Sequence, residues 1–95
     1  MILHTVNKSA YSTNVLTDLA QFLAKPDLIL LIEDGVLGLN HADLARLNEA
    51  CGGIYALDPD IKARGIDAHV PAFVTCVDYE GFVDLTLRCH SVRNT

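Results

Sequence analysis

The sequence predicts an α/β fold, a three-layer α/β/α sandwich on a mostly parallel sheet of four to five strands. Leu28 to Ile32 reads LILLI, five apolar residues without polar alternation, the pattern of a strand covered by helices on both faces. Ahead of it, Leu16, Leu19, Ala20 and Leu23 fall at i, i+3, i+4 and i+7, the spacing of an amphipathic helix. Strand-like and helix-like segments then alternate with short connections, as repeated β-α-β units do.

The elements follow in order. Met1 to Val6, with ILHTV at its centre, is a short β-like run. Ser12 to Lys25 reads as one amphipathic helix stopped by Pro26. After LILLI, Asp34 is placed to cap a short helical turn and Gly35 permits a tight exit from the strand. Asn40 can cap the next helix, whose Leu44, Leu47 and Cys51 share a face and which Gly52-Gly53 terminates. Ile54 to Leu57 is a further buried strand, and Asp58-Pro59 supplies an N-cap followed by proline at the first helical position. That helical turn runs through Ile61 and Lys62 and ends near Gly65. Phe73 to Val77 is a fourth strand, and Asp78 caps a last helix with Phe82, Leu85, Thr86 and Cys89 on one face. His90 to Thr95 reads as a short edge strand or a loose tail.

Ninety-five residues suit one domain, 1–95, because two cores would leave each half near the ~40-residue limit for unaided folding. Seven basic residues against twelve acidic ones give a formal charge of -5, with no Lys/Arg cluster, so direct nucleic-acid binding is not expected. The N-terminal apolar stretch breaks at Asn7-Lys8, too early for a signal-peptide core or a spanning helix. The expectation is a soluble cytoplasmic protein without a membrane partner. Hydrophobic residues make up 51% of the chain, more than a small interior hides, which points to apolar subunit contacts.

The candidate chemistry is thin. Cys51, Cys76 and Cys89 form no ligand-like spacing with His4, His41, His69 and His90, so neither a metal site nor a disulfide framework is indicated. Cys76 lies inside the expected fourth strand and Cys89 on the apolar face of the last helix, both reading as core packing. Cys51, at a helix C-terminus before two glycines, reads as the most exposed thiol, although the helix dipole there opposes a thiolate. Glu33 and Asp34 stand where a parallel strand delivers its C-terminal end, a usual place for ligand sites, but adjacent side chains there tend to point apart. His4 reads as a hydrogen-bonded core or interface histidine. No phosphate-binding glycine loop is present, and no Ser/His/Asp set stands out. From the residues alone, no catalytic, cofactor-binding or metal-binding residue is assigned.

Four segments, ILHTVNKSAYSTNVL, LLIEDGV, YALDPDIKARG and VDYEGFVDLT, together resemble the TusB/DsrH family of sulfur-relay subunits, over Leu3 to about Thr86. The resemblance implies a DsrEFH-like fold and assembly with two sister subunits, of TusC/DsrF and TusD/DsrE type, as a dimer of heterotrimers. It further implies a persulfide relay in which TusA delivers sulfur to a cysteine of the TusD-type subunit. A TusE/DsrC-like carrier then takes it on towards 2-thiolation of the tRNA wobble uridine. The resemblance also carries DsrEFH-type sulfur trafficking in sulfur oxidation as an alternative, and the exposure expected of Cys51 adds a second, a sulfurtransferase acting through that thiol. DsrH-type members have a cysteine in the first helix, at or beside Leu19 here, where this sequence has none. The closer analogy is therefore the non-catalytic partner subunit. The ending Val92-Arg93-Asn94-Thr95 also departs from the aromatic tail common in the family.

Overall fold

In the computed structural model, which describes residues 1–95, five strands form one sheet, every neighbouring pair parallel. They are β1 (Ile2–Val6), β2 (Leu28–Leu31), β3 (Gly53–Leu57), β4 (Val74–Val77) and β5 (Ser91–Asn94), in the order β4-β3-β2-β1-β5. The helices are α1 (Val15–Ala20), α2 (Asp43–Glu49), α3 (Asp58–Ala63) and α4 (Tyr79–Arg88), with 3-10 helices at Glu33–Asn40 and Asp67–His69.

The strand order dictates where the helices lie. Three successive crossovers step in one direction from β1 to β4, and the fourth returns past β1 to β5. Right-handed connections then put α1, α2 and α3 on one face and α4 on the other. Side-chain packing agrees. Leu16, Leu19, Leu44, Leu47 and Ile61 join Ile29, Leu31, Ile54, Ala56 and Val74 in one cluster, whereas Leu85 and Cys89 join Leu3, Leu28 and Leu30 in a second. Successive residues of LILL thus serve opposite cores, and all four are buried. The three-layer expectation holds, with one side of the sheet carried by a single ten-residue helix.

Several local expectations are corrected. The helix expected over 12–25 shrinks to Val15–Ala20. Before it, the amides of Ser12 and Thr13 bond back to the Ser9 carbonyl, and after it Gln21 and Phe22 close turns on Asp18 and Leu19. The Ala24 amide is diverted to the Asp27 carboxylate at 3.0 Å, so chain that could continue the helix instead serves a buried acid. Asp34 and Asn40 cap nothing: Asp34 lies inside the 3-10 helix Glu33–Asn40, neither that helix nor α2 has a side-chain cap, and the Asp43 amide is received by His41 Nδ1 at 3.1 Å. Asp58 heads α3 without accepting a cap bond and pairs with Lys62 at 2.9 Å. Asp78 does cap α4, its Oδ1 accepting from the Gly81 amide at 2.8 Å.

Gly35 is needed for a close approach, since a Cβ there would run into the backbone carbonyl of Val6. Gly65 ends α3 at φ +65°, a conformation glycine adopts without Cβ strain. The C-terminal tail is a strand, its register pairing Leu3 with Val92 and Thr5 with Asn94. Thr5 Oγ1 donates to Asn94 Oδ1 at 2.6 Å, and the Arg93 guanidinium lies 4.3 Å over the Phe22 ring.

Candidate functional site

The thiols are placed differently from their expected order of exposure. Cys51 is buried, at 6% exposure, because Leu44, Leu47 and Cys51 point the C-terminal end of α2 into the larger core. Its Sγ is 3.6 Å from the Gly53 carbonyl, and burial pushes the thiol pKa up despite the nearby Lys25 ammonium. Cys76 is exposed rather than packed, since β4 is one of the sheet's two outer strands. Its thiol is also held above its ordinary value, by partial burial and then by the Asp58 carboxylate, with Lys62 opposing. Cys89 closes α4 and is buried beside Leu85 in the smaller core, as its periodicity implied. Leu19 is 1% exposed, in the larger core.

Glu33 and Asp34 diverge at the C-terminal end of β2. Glu33 takes φ 50° and gives its amide to Asp60 Oδ2 at 2.7 Å. Asp34 Oδ1 receives Arg64 Nε and Nη2 at 3.1 and 2.9 Å. Arg64 also donates to the Asp60 carbonyl at 3.3 Å. These bonds tie the segment after β2 to α3, which is an account of structure rather than of acid-base chemistry.

His4 and Asp27 form the buried polar pair of the sheet. His4 is 0% and Asp27 2% exposed, with Nε2 to Oδ2 at 2.9 Å. The carboxylate also receives the amides of Ile2 at 2.9 Å and Ala24 at 3.0 Å. Burial pushes the Asp27 pKa upward, but the His4 bond and the two amides outweigh it and leave the group lowered. His4 Nδ1 is buried without a partner. Sequence reasoning found His4 but missed Asp27, whose place right after Pro26 gave no periodic signal.

Between α1 and α2 runs a groove of about 280 Å³, walled by Leu16, Ala20, Leu47 and Ala50, with the Asp43–Arg46 pair at its rim. Four of its seven lining residues are hydrophobic, and none is a thiol or histidine. No group of three His, Cys, Asp or Glu side chains suits a metal ion. No helix is long and apolar enough to cross a membrane.

Strand order and parallel pairing define a small three-layer α/β protein, its charged clusters serving to tie elements together. A family model described as DsrH like protein matches residues 8–92, and the chain belongs to that family. It is 40% identical over 91 residues to protein TusB of Photorhabdus laumondii, covering 94% of this chain and 95% of that one. With protein TusB of Escherichia coli K12 the identity is 33% over 89 residues, covering 92% and 93%. In fold it is similar to the solution structure of Tm0979 from Thermotoga maritima, with a TM-score of 0.71, 24% identity and 93% of both chains covered.

Proposed function

We propose that the chain is a non-catalytic subunit of a cytoplasmic persulfide-relay complex that supports 2-thiolation of the tRNA wobble uridine. Its partners in this reading are TusC/DsrF-like and TusD/DsrE-like sister subunits in a dimer of heterotrimers. TusA and a TusE/DsrC-like carrier meet the complex rather than this chain. The observation that carries the reading is near full-length similarity to proteins called TusB, at 33–40% identity. Membership of the DsrH-like family keeps the sulfur-oxidation role as the second reading.

The thiols support the non-catalytic part. In persulfide transfer, an acceptor thiolate attacks the outer sulfur of the donor persulfide. The new S–S bond forms as the donor's own S–S bond breaks, and the donor leaves as a thiolate. An acceptor must therefore be both accessible and ionised. Cys51 and Cys89 are buried, and the exposed Cys76 is shifted towards the protonated thiol. A sulfurtransferase role through Cys51 would need α2 to open.

The test is complementation. In a strain lacking this chain, wobble 2-thiouridine is expected to disappear and to return with the wild type and with Cys51→Ser, Cys76→Ser and Cys89→Ser alike. Unchanged 2-thiouridine in the deletion strain would remove the tRNA reading. Full loss in one serine variant with the complex still assembled would make this chain a sulfur carrier. A persulfide adduct of about +32 Da on that cysteine would identify the carrier thiol.

A further inference from the structure

Seven large apolar side chains are exposed, and three of them, Tyr79, Val83 and Leu87, form one i, i+4, i+8 row of α4 at 61%, 56% and 78% exposure. The opposite side of the same helix is buried through Leu85. A helix apolar on both its core face and its outer flank has the pattern of one enclosed in an assembly. Val92 is exposed on the same side of the sheet: its pairing with Leu3 puts its side chain on α4's side, where it is 45% exposed. This is also the face with a single covering helix, and four of the seven exposed side chains lie on it, against two, Tyr11 and Phe22, that flank α1 in sequence.

The charges beside the row select the occupant. Asp78, Glu80 and Asp84 stand along the first turns of α4, and Arg88, the helix's only cation, lies 3.5 Å from the Tyr55 hydroxyl. A twofold centred on Val83 would map the flank bearing Asp84 onto the same flank of a second copy, setting the two Asp84 carboxylates side by side. The formal charge of -5 on each chain adds to that repulsion. A different chain, with an apolar ridge flanked by Lys or Arg, meets both the row and its acidic border.

We propose that the Tyr79–Val83–Leu87 row of α4, bordered by Glu80 and Asp84 and with Val92 exposed on the same side of the sheet, docks a sister subunit that presents an apolar ridge with a basic rim. The inference rests on the relay-subunit reading and names the surface through which that assembly forms.

The test uses the full chain co-expressed with TusC-like and TusD-like subunits, with native mass spectrometry for assembly and surface plasmon resonance for affinity and rates. The double variant Val83→Glu/Leu87→Glu alters side chains outside both cores. It is expected to keep the wild-type thermal unfolding profile and to lose about tenfold or more in affinity for the sister chains. Asp84→Lys is expected to slow association and to flatten its dependence on salt. Wild-type binding that both variants retain unchanged overturns the surface and leaves the relay reading standing. A wild-type chain that binds neither sister subunit overturns both. A homodimer of the isolated chain that Val83→Glu dissociates assigns the row to a second copy and overturns the proposal.

Discussion

Asp27 concentrates more of the structure than any other polar residue. One carboxylate receives the β1 amide of Ile2, the Ala24 amide and the His4 ring, and so joins the start of the sheet to the end of the first crossover. Bonds to a charged acceptor are worth about 1.5–3 kcal/mol each, and breaking a buried pair costs roughly 3–5 kcal/mol. Asp27→Asn is therefore expected to lower stability by about 3 kcal/mol at neutral pH in urea unfolding. The folded pKa is below the ordinary value of 3.8, so this contribution is complete above 3.8 and is lost as pH falls through the folded value. The wild-type and variant stabilities should converge below about pH 3.8, and a gap that persists unchanged into acid would refute the assignment. His4 was legible as a hydrogen-bonded core histidine but Asp27 was not, because a single Asp after Pro26 looks like any loop acid until the sheet brings His4 to it. The thiols teach the same lesson. Cys51 shares its helical face with Leu44 and Leu47 and turns into the core with them, although its place before two glycines reads as exposed, and strand composition could not show that Cys76 sits on an edge.

At the scale of elements, α4 is the most self-consistent piece of the chain. Its cap, inward face and end all matched the reading of VDYEGFVDLT, because an Asp cap and a period of 3.6 are local signals. Asp78→Ala is expected to cost about 1 kcal/mol, seen as a lower urea midpoint with an unchanged slope. A slope that falls as well would mean that α4 leaves the sheet rather than merely fraying. The strands were legible because uninterrupted apolar runs have few other uses in a small chain. The first helix is shorter than its spacing suggests because the apolar period persists to Leu23 while tight turns close at Gln21 and Phe22 and the Asp27 carboxylate takes the Ala24 amide. The caps expected at Asp34 and Asn40 failed because Asp34 answers to Arg64, 30 residues away, and His41 takes the amide that begins α2.

For the whole molecule, the parallel sheet and its layers could be read from the order of runs, but the position of the last strand could not. All four residues of β5 are exposed, so it contributes little apolar burial and is held by its ladder to β1 and by the Thr5–Asn94 bond. A chain ending at His90 is expected to keep the larger core, to lose a few kcal/mol at ~1 kcal/mol per ladder hydrogen bond, and to self-associate through the uncovered edge of β1. Light scattering across a concentration series checks this, and a truncated chain that stays monodisperse would show the edge to be protected otherwise.

That strand order also bears on how the protein is made. β1 leaves the ribosome before the other strands of the sheet, yet one of its two neighbours, β5, is translated after all the others. Until β5 has been translated, the nascent chain therefore carries an open edge on the oldest strand of this sheet. Premature release is correspondingly hazardous for this fold, because a product that stops before β5 keeps a nearly intact core and an adhesive β1.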